Sequence, residues 1–157
     1  MKPLRRHVVE GADRTKTIES LQACLVDLID LALQGKQAHW NVVGPNFRAV
    51  HLQLDEIIES ARAASDEVAE RIVTLGEPAE GRAAAVAAAS RIDEFPAGLH
   101  SVSTVVTHVA DRLEQTIAGL RKAIDAVEKT DPISQDLLIG VSATLEKHLW
   151  MVQAQEG

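Results

Sequence analysis

Five residues of the types that bind metals recur at orderly intervals: His39, His51, Asp55, Asp66 and Glu70. Imidazole nitrogen with carboxylate oxygen suits ferrous iron, with zinc, cobalt or manganese as competitors. His51 and Asp55 lie four residues apart, as do Asp66 and Glu70, so on a helix each pair shares a face. Asp66 follows Asp55 by eleven residues, about three helical turns, which aims both pairs in nearly the same direction but about 16 Å apart along the axis. Metal–ligand bonds are about 2 Å long, so one ion cannot join the two pairs within a straight helix. Three readings are open. The residues are surface acids plus a histidine, or they are two half-formed sites in one subunit. In the third, a symmetric dimer sets two antiparallel copies of the helix side by side, so that one copy's first pair meets the other's second pair, twice over. His39, near the end of the preceding helix, then joins His51 and Asp55 from its own chain. A single-chain di-iron centre built on Glu-x-x-His is not expected, because the second helix offers Glu67-Val-Ala-Glu70 instead.

The elements that carry these residues read as helices. From Thr17, with Thr15 or Thr17 as cap, Ile18, Leu21, Leu25, Leu28 and Ala32 make one apolar stripe that runs to about Val42. Gly44-Pro45 stops it. Asn46 then serves as the cap of a second helix, with Phe47, Val50, Leu54, Ile57 and Ile58 opening its buried face, ending near Leu75. "RAAAVAAAS" predicts a short helix inside a long connection. A third long helix spans about 99–129, and "TDP" starts a fourth, with Pro132 where its missing N–H is harmless. No useful strand alternation is present. Two helical pairs joined by one long crossover predict an all-α, ferritin-like four-helix bundle over residues 17–157, with a short extra helix between helices two and three. Residues 1–16 read as a flexible tail.

Composition narrows the function. One domain of 157 residues can bury a substantial core. No run approaches the roughly 18–20 apolar residues of a membrane helix, and the basic start has no apolar stretch behind it, which predicts a cytoplasmic protein. Cys24 is the single cysteine and reads as a small core residue. Residues 1–16 hold five cations against two acids, a net of +3, leaving −10 for the rest of a chain whose total is −7. Lys2, Arg5 and Arg6 are the cations placed to meet an anionic surface.

The segment "HWNVVGPNFRAVHLQLD", followed by "DEVAER", closely resembles the motif of the Dps family, the DNA-binding proteins from starved cells or mini-ferritins. The pattern is H-x11-H-x3-D-x10-D-x3-E, and the likeness extends over about 17–155, including "DLLIGVSATLEKHLWM" as the last helix. The resemblance implies a hollow homo-dodecamer that oxidises Fe(II), preferring hydrogen peroxide to oxygen, at ferroxidase sites on dimer interfaces, with two irons possible at each. It also implies ferric mineral stored inside. His39, His51 and Asp55 would come from one chain, and Asp66 and Glu70 from its mate. Trp40 matches the family's aromatic beside the site, where it would supply or quench an electron; the chain has no Tyr to do so. Acidic entry pores are implied as well, with Glu128, Asp131 and Asp136 at the matching start of the last helix. The plain alternative for Asp131 is compensation of a helix dipole. His100, His108 and His148 match no ligand and read as surface or satisfied histidines. Family DNA binding rides on basic tails; here only Lys2, Arg5 and Arg6 could supply it, without sequence specificity and with nucleoid association as its consequence. The alternative functions are a nucleoid-binding structural protein that works through this tail, and a plain interaction bundle.

Overall fold

The apolar stripes are buried in one shared core, except that Phe47, expected to open the buried face of the second helix, is 48% exposed. The computed structural model describes residue 6 and residues 8–156. Helix α1 (Gly11–Asn41) buries Leu21, Leu25, Leu28 and Leu31, and α2 (Phe47–Thr74) folds back on it through Leu54, Ile57, Ile58, Val68 and Ile72. The short α3 (Ala83–Ala89) lies in the crossover, followed by the second pair, α4 (Val102–Val127) and α5 (Pro132–Gln153). Leu113, Leu120, Leu138 and Leu145 of that pair are as fully buried as their counterparts in α1 and α2. Burying one such side chain stabilises the fold by about 1.5–3 kcal/mol, so this apolar centre holds the four long helices together. The expected four-helix bundle with one long crossover and an extra short helix is the fold that forms.

Two helix starts and one cap differ from the sequence expectation. Helix α1 starts at Gly11, not Thr17; the hydroxyls of Thr15 and Thr17 bond back to Gly11 O (3.4 Å) and Asp13 O (2.8 Å) inside the helix. Its polar first turns are held by a distant contact: Arg14 Nε donates to Leu75 O at 2.6 Å, and its Nη2 pairs with Glu77 at 2.8 Å. Asn46 does precede α2, but its side chain makes no cap hydrogen bond. It stands in the left-handed region (φ 62°) after Gly44 (φ 111°), and the pair turns the chain so that α2 can return along α1. Helix α4 starts at Val102 because His100–Ser101 (β2) is extended and pairs in parallel with Val42–Val43 (β1). Ser101 then caps α4, accepting from Thr104 N at 3.3 Å.

The crossover is tied down along its length. Gln22 of α1 both donates to Glu80 O (2.7 Å) and accepts from Glu80 N (3.0 Å). Arg91 reaches the buried Asp27 with Nε at 2.9 Å and Nη2 at 2.6 Å. A side chain at Gly119 would collide with that pair, since its Cβ would lie 2.9 Å from Arg91 Nη2. Cys24 packs beside them; burial pushes its thiol up to about 11, so it behaves as the core residue the sequence suggests.

Candidate metal centre

Helices α1 and α2 bring His39, His51 and Asp55 together at one end of the bundle. One ligand atom from each lies within 4.8 Å of the others, the only such group of three among the described residues. The imidazoles of His39 and His51 stack, with centroids 3.6 Å apart at 25°. His51 Nδ1 sits 3.0 Å from the His39 carbonyl oxygen; as the donor there it leaves Nε2 with a free lone pair, the usual way a backbone carbonyl orients a metal-binding histidine. His39 Nε2 lies 3.0 Å from Asp55 Oδ2, so a cation between them would take both atoms as ligands once the imidazole proton has left. His39 is buried, and its Nδ1 has no hydrogen-bond partner. Asp55 remains half exposed. The set is three mixed nitrogen and oxygen donors, open on the outer side, which fits a divalent transition metal and is too few to enclose one.

Asp66 and Glu70 stand exposed further along α2. Because α2 is one unbroken helix from Phe47 to Thr74, Asp66 remains about 16 Å and Glu70 about 22 Å along the axis from Asp55. The fold therefore does not gather all five residues within a chain.

A family model described as a ferritin-like domain matches residues 18–156. The chain is 40% identical over 134 residues to the DNA protection during starvation protein of Mycolicibacterium smegmatis, covering 85% of this chain and 73% of that one. The tetragonal form of Mycobacterium smegmatis Dps superposes with a TM-score of 0.92 at 35% identity, covering 98% of this chain and 93% of that one. This chain belongs to the Dps family. DNA protection during starvation protein 2 of Deinococcus radiodurans is 35% identical over 142 residues, 90% of this chain; the chain spans 59% of that longer relative's length.

In this Dps-family chain a residue not foreseen from the sequence enters the site. Lys36 Nζ donates to Asp55 Oδ1 at 2.6 Å. The Lys36 hydrogen bond, supported by His39, holds the Asp55 carboxyl below its ordinary range. Lys36 precedes His39 by three residues, so the shared helical face was the available signal. Trp40 is 68% exposed, and so are Phe47 and Val43 in good part. Of these, Phe47 meets the His51 ring edge-on, with centroids 6.2 Å apart, and Trp40 adjoins His39 in the chain.

The expected pore residues separate. Glu128 and Asp136 are exposed, whereas Asp131 is 3% exposed. Arg71 Nη2 reaches Asp131 Oδ2 at 2.6 Å, and Ser134 donates to the same oxygen. Burial alone would raise this carboxyl, but the bonds from Arg71 and Ser134 outweigh it and hold it below the ordinary range. Asp131 is therefore engaged by Arg71 and Ser134 within its own chain. Lys2 and Arg5 lie outside the described residues, and Arg6 is exposed. His100 and His108 pack edge-on around Phe95, and the buried His148 bonds Ser60 Oγ at 2.9 Å. Among the described residues no helix is long and apolar enough to cross a membrane.

Proposed function

We propose that this protein oxidises Fe(II) at sites shared between two copies of the chain, with hydrogen peroxide as the preferred oxidant, and stores the ferric product inside a closed homo-dodecamer. The supporting observation is an incomplete triad. His39, His51 and Asp55 converge on one point with an open side, while two further carboxylates stand in line with them on the same helix. A two-fold axis perpendicular to α2 would lay a second copy of the helix antiparallel to the first and bring the mate's Asp66 and Glu70 to that open side, and the reciprocal contact follows by symmetry. Trp40, Val43 and Phe47, close to the triad residues in sequence and exposed, would supply the apolar area such a contact needs.

Fe(II) is the substrate. His51 Nε2 and His39 Nε2 bind it, with the His39 carbonyl orienting His51 through Nδ1. The carboxylates favour the ferric product by charge. Two Fe(II) ions each give one electron to one hydrogen peroxide; the O–O bond breaks, two protons are taken up and two waters form. Delivering both electrons at one site avoids the one-electron cleavage that releases hydroxyl radical. Trp40, next to His39, is placed to quench a stray oxidant. Removal of iron and peroxide together is a protective chemistry, consistent with the names of the relatives. That chemistry does not itself require contact with DNA.

The test is anaerobic Fe(II) loading followed by peroxide, with ferric absorbance and trapped hydroxyl radical recorded in parallel. The native protein consumes about two Fe(II) per peroxide with little radical, and His51→Ala/Asp55→Ala loses both properties. Equal, slow oxidation in the two proteins would reject the ferroxidase reading and leave the basic tail as the functional element.

A further inference from the structure

Asp66 and Glu70 lie toward the C-terminal end of α2, where a helix runs out of its own hydrogen-bond partners. To meet a partner's triad they must be aimed to within a few tenths of an ångström. Val68 and Ile72 seat the inner side of this stretch, but apolar burial is non-directional and fixes rotation poorly. The directional contacts come from Arg71, the neighbour of Glu70. Its Nε donates to Ser134 Oγ at 2.9 Å and its Nη2 to Asp131 Oδ2 at 2.6 Å. Both acceptors belong to the start of α5 and are buried, Asp131 to 3% and Ser134 to 0% exposure. Ser134 also donates to the same Asp131 oxygen, locking the two acceptors to each other.

A guanidinium is a rigid planar fork, so two acceptors on one element fix its plane as well as its position. Successive helical residues turn by about 100°, and holding Arg71 against α5 therefore sets the direction of Glu70 and, one turn earlier, of Asp66. A second arginine acts along a different coordinate. Arg14 of α1 binds Leu75 O at 2.6 Å, just past the last turn of α2, and steadies the helix end without setting its rotation.

We propose that Arg71, anchored by Asp131 and Ser134, is a positioning residue that aims the Asp66–Glu70 pair at the metal site completed by a second copy. The proposal rests on the shared-site reading above. It gives the buried Asp131 a role at the metal centre from a distance.

The test uses the purified full-length protein and anaerobic Co(II) titration, read by the visible absorption of the bound ion, with size-exclusion chromatography alongside. Arg71→Lys keeps the charge and loses the fork; Ser134→Ala removes one contact and no charge, so it carries the test if the first variant fails to fold. At native elution volume, each is expected to bind Co(II) about tenfold more weakly, with a changed band shape. Native affinity and band shape in Ser134→Ala and Arg71→Lys would overturn the proposal. A loss of affinity that simply tracks a smaller assembly would overturn it too, making the cluster an assembly contact. His51→Ala/Asp55→Ala separates the two levels: if that protein binds Co(II) as the native one does, the shared site itself fails, whatever Arg71 does.

Discussion

Replacing Gly35 with Ala probes how closely α1 must lie on α2 for the metal centre to form. A Cβ at Gly35 would stand 2.8 Å from Ile58 Cγ1. Ordinary carbon contacts begin near 3.5 Å, so Ile58 or the helices must give way by about 0.7 Å. At an unhindered helical position the same change would stabilise by about 1 kcal/mol. Overpacking costs about 1–3 kcal/mol, and Ile58 is 2% exposed with little room to turn. The expected net is a loss of about 1 kcal/mol, which lowers the thermal midpoint by about 2–4 °C. His39 lies one turn beyond Gly35 on the same face, so the displacement reaches a ligand whose tolerance is about 0.2 Å, and Co(II) affinity should fall about tenfold. Thermal unfolding at one fixed protein concentration and anaerobic Co(II) titration measure the two effects. Adding Ile58→Ala restores the spacing and should recover Co(II) binding while stability stays low, because a large-to-small core change costs about 2–5 kcal/mol. A Gly35→Ala protein that is more stable than the native one, with unchanged Co(II) binding, would refute the reasoning, since the helices would then have slack at this point.

Lys36→Met keeps the side-chain stem and removes the ammonium bonded to Asp55; Co(II) should bind more tightly, and a titration with unchanged affinity would show that Lys36 does not compete with the metal. The Asp131 carboxyl is held low in the folded state, so its contribution to stability is present above its unfolded value of about 3.9 and is lost as pH falls through the lower folded value. Asp131→Asn should accordingly flatten the acid limb of an unfolding curve below about pH 4, and an unchanged limb would count against the pair. His148 is lowered by burial, so the unfolded chain binds a proton first and stability declines as pH drops below about 6.5; His148→Gln should remove that slope, measured by urea unfolding between pH 7 and 5. Lys2, Arg5 and Arg6 changed together to Ala should abolish retardation of DNA at low salt and leave iron oxidation intact; retention of DNA binding would place it elsewhere on the chain.

The helices that end in strong punctuation were legible from the sequence. Pro132 marks the start of α5, and Gly76-Glu77-Pro78 marks the end of α2 within a residue or two. The start of α1 was not, because its first turns are stabilised by Arg14 reaching a carbonyl 61 residues away, which no local pattern carries. The β1–β2 pair escaped notice for a similar reason: two residues a side give no alternation, and the pairing depends on the folded bundle. His51 and Asp55 could be read from spacing, since helical geometry converts intervals directly into proximity, whereas His39, on the preceding helix, joined them only in one of three open readings and through the resemblance to the Dps motif. The same geometry showed why Asp66 and Glu70 could not join them. Lys36 shares the face of His39, but a lysine on a helix is ordinary until its partner is seen. Asp131 looked like a surface acid at a helix start; its burial follows from Arg71, 60 residues earlier.

In a helical bundle the longest connection is commonly where a protease finds an extended strand to hold. Here Glu80 is gripped twice by Gln22, and Arg91 is plugged into a notch that Gly119 keeps open for it over Asp27. Between those two rivets α3 is wound into helix, a poor substrate for cleavage. A single cut there would sever the chain and yet leave both fragments riveted to the same bundle. The connection thus behaves as a stave of the barrel, and the two helical pairs would part only when the whole core melts.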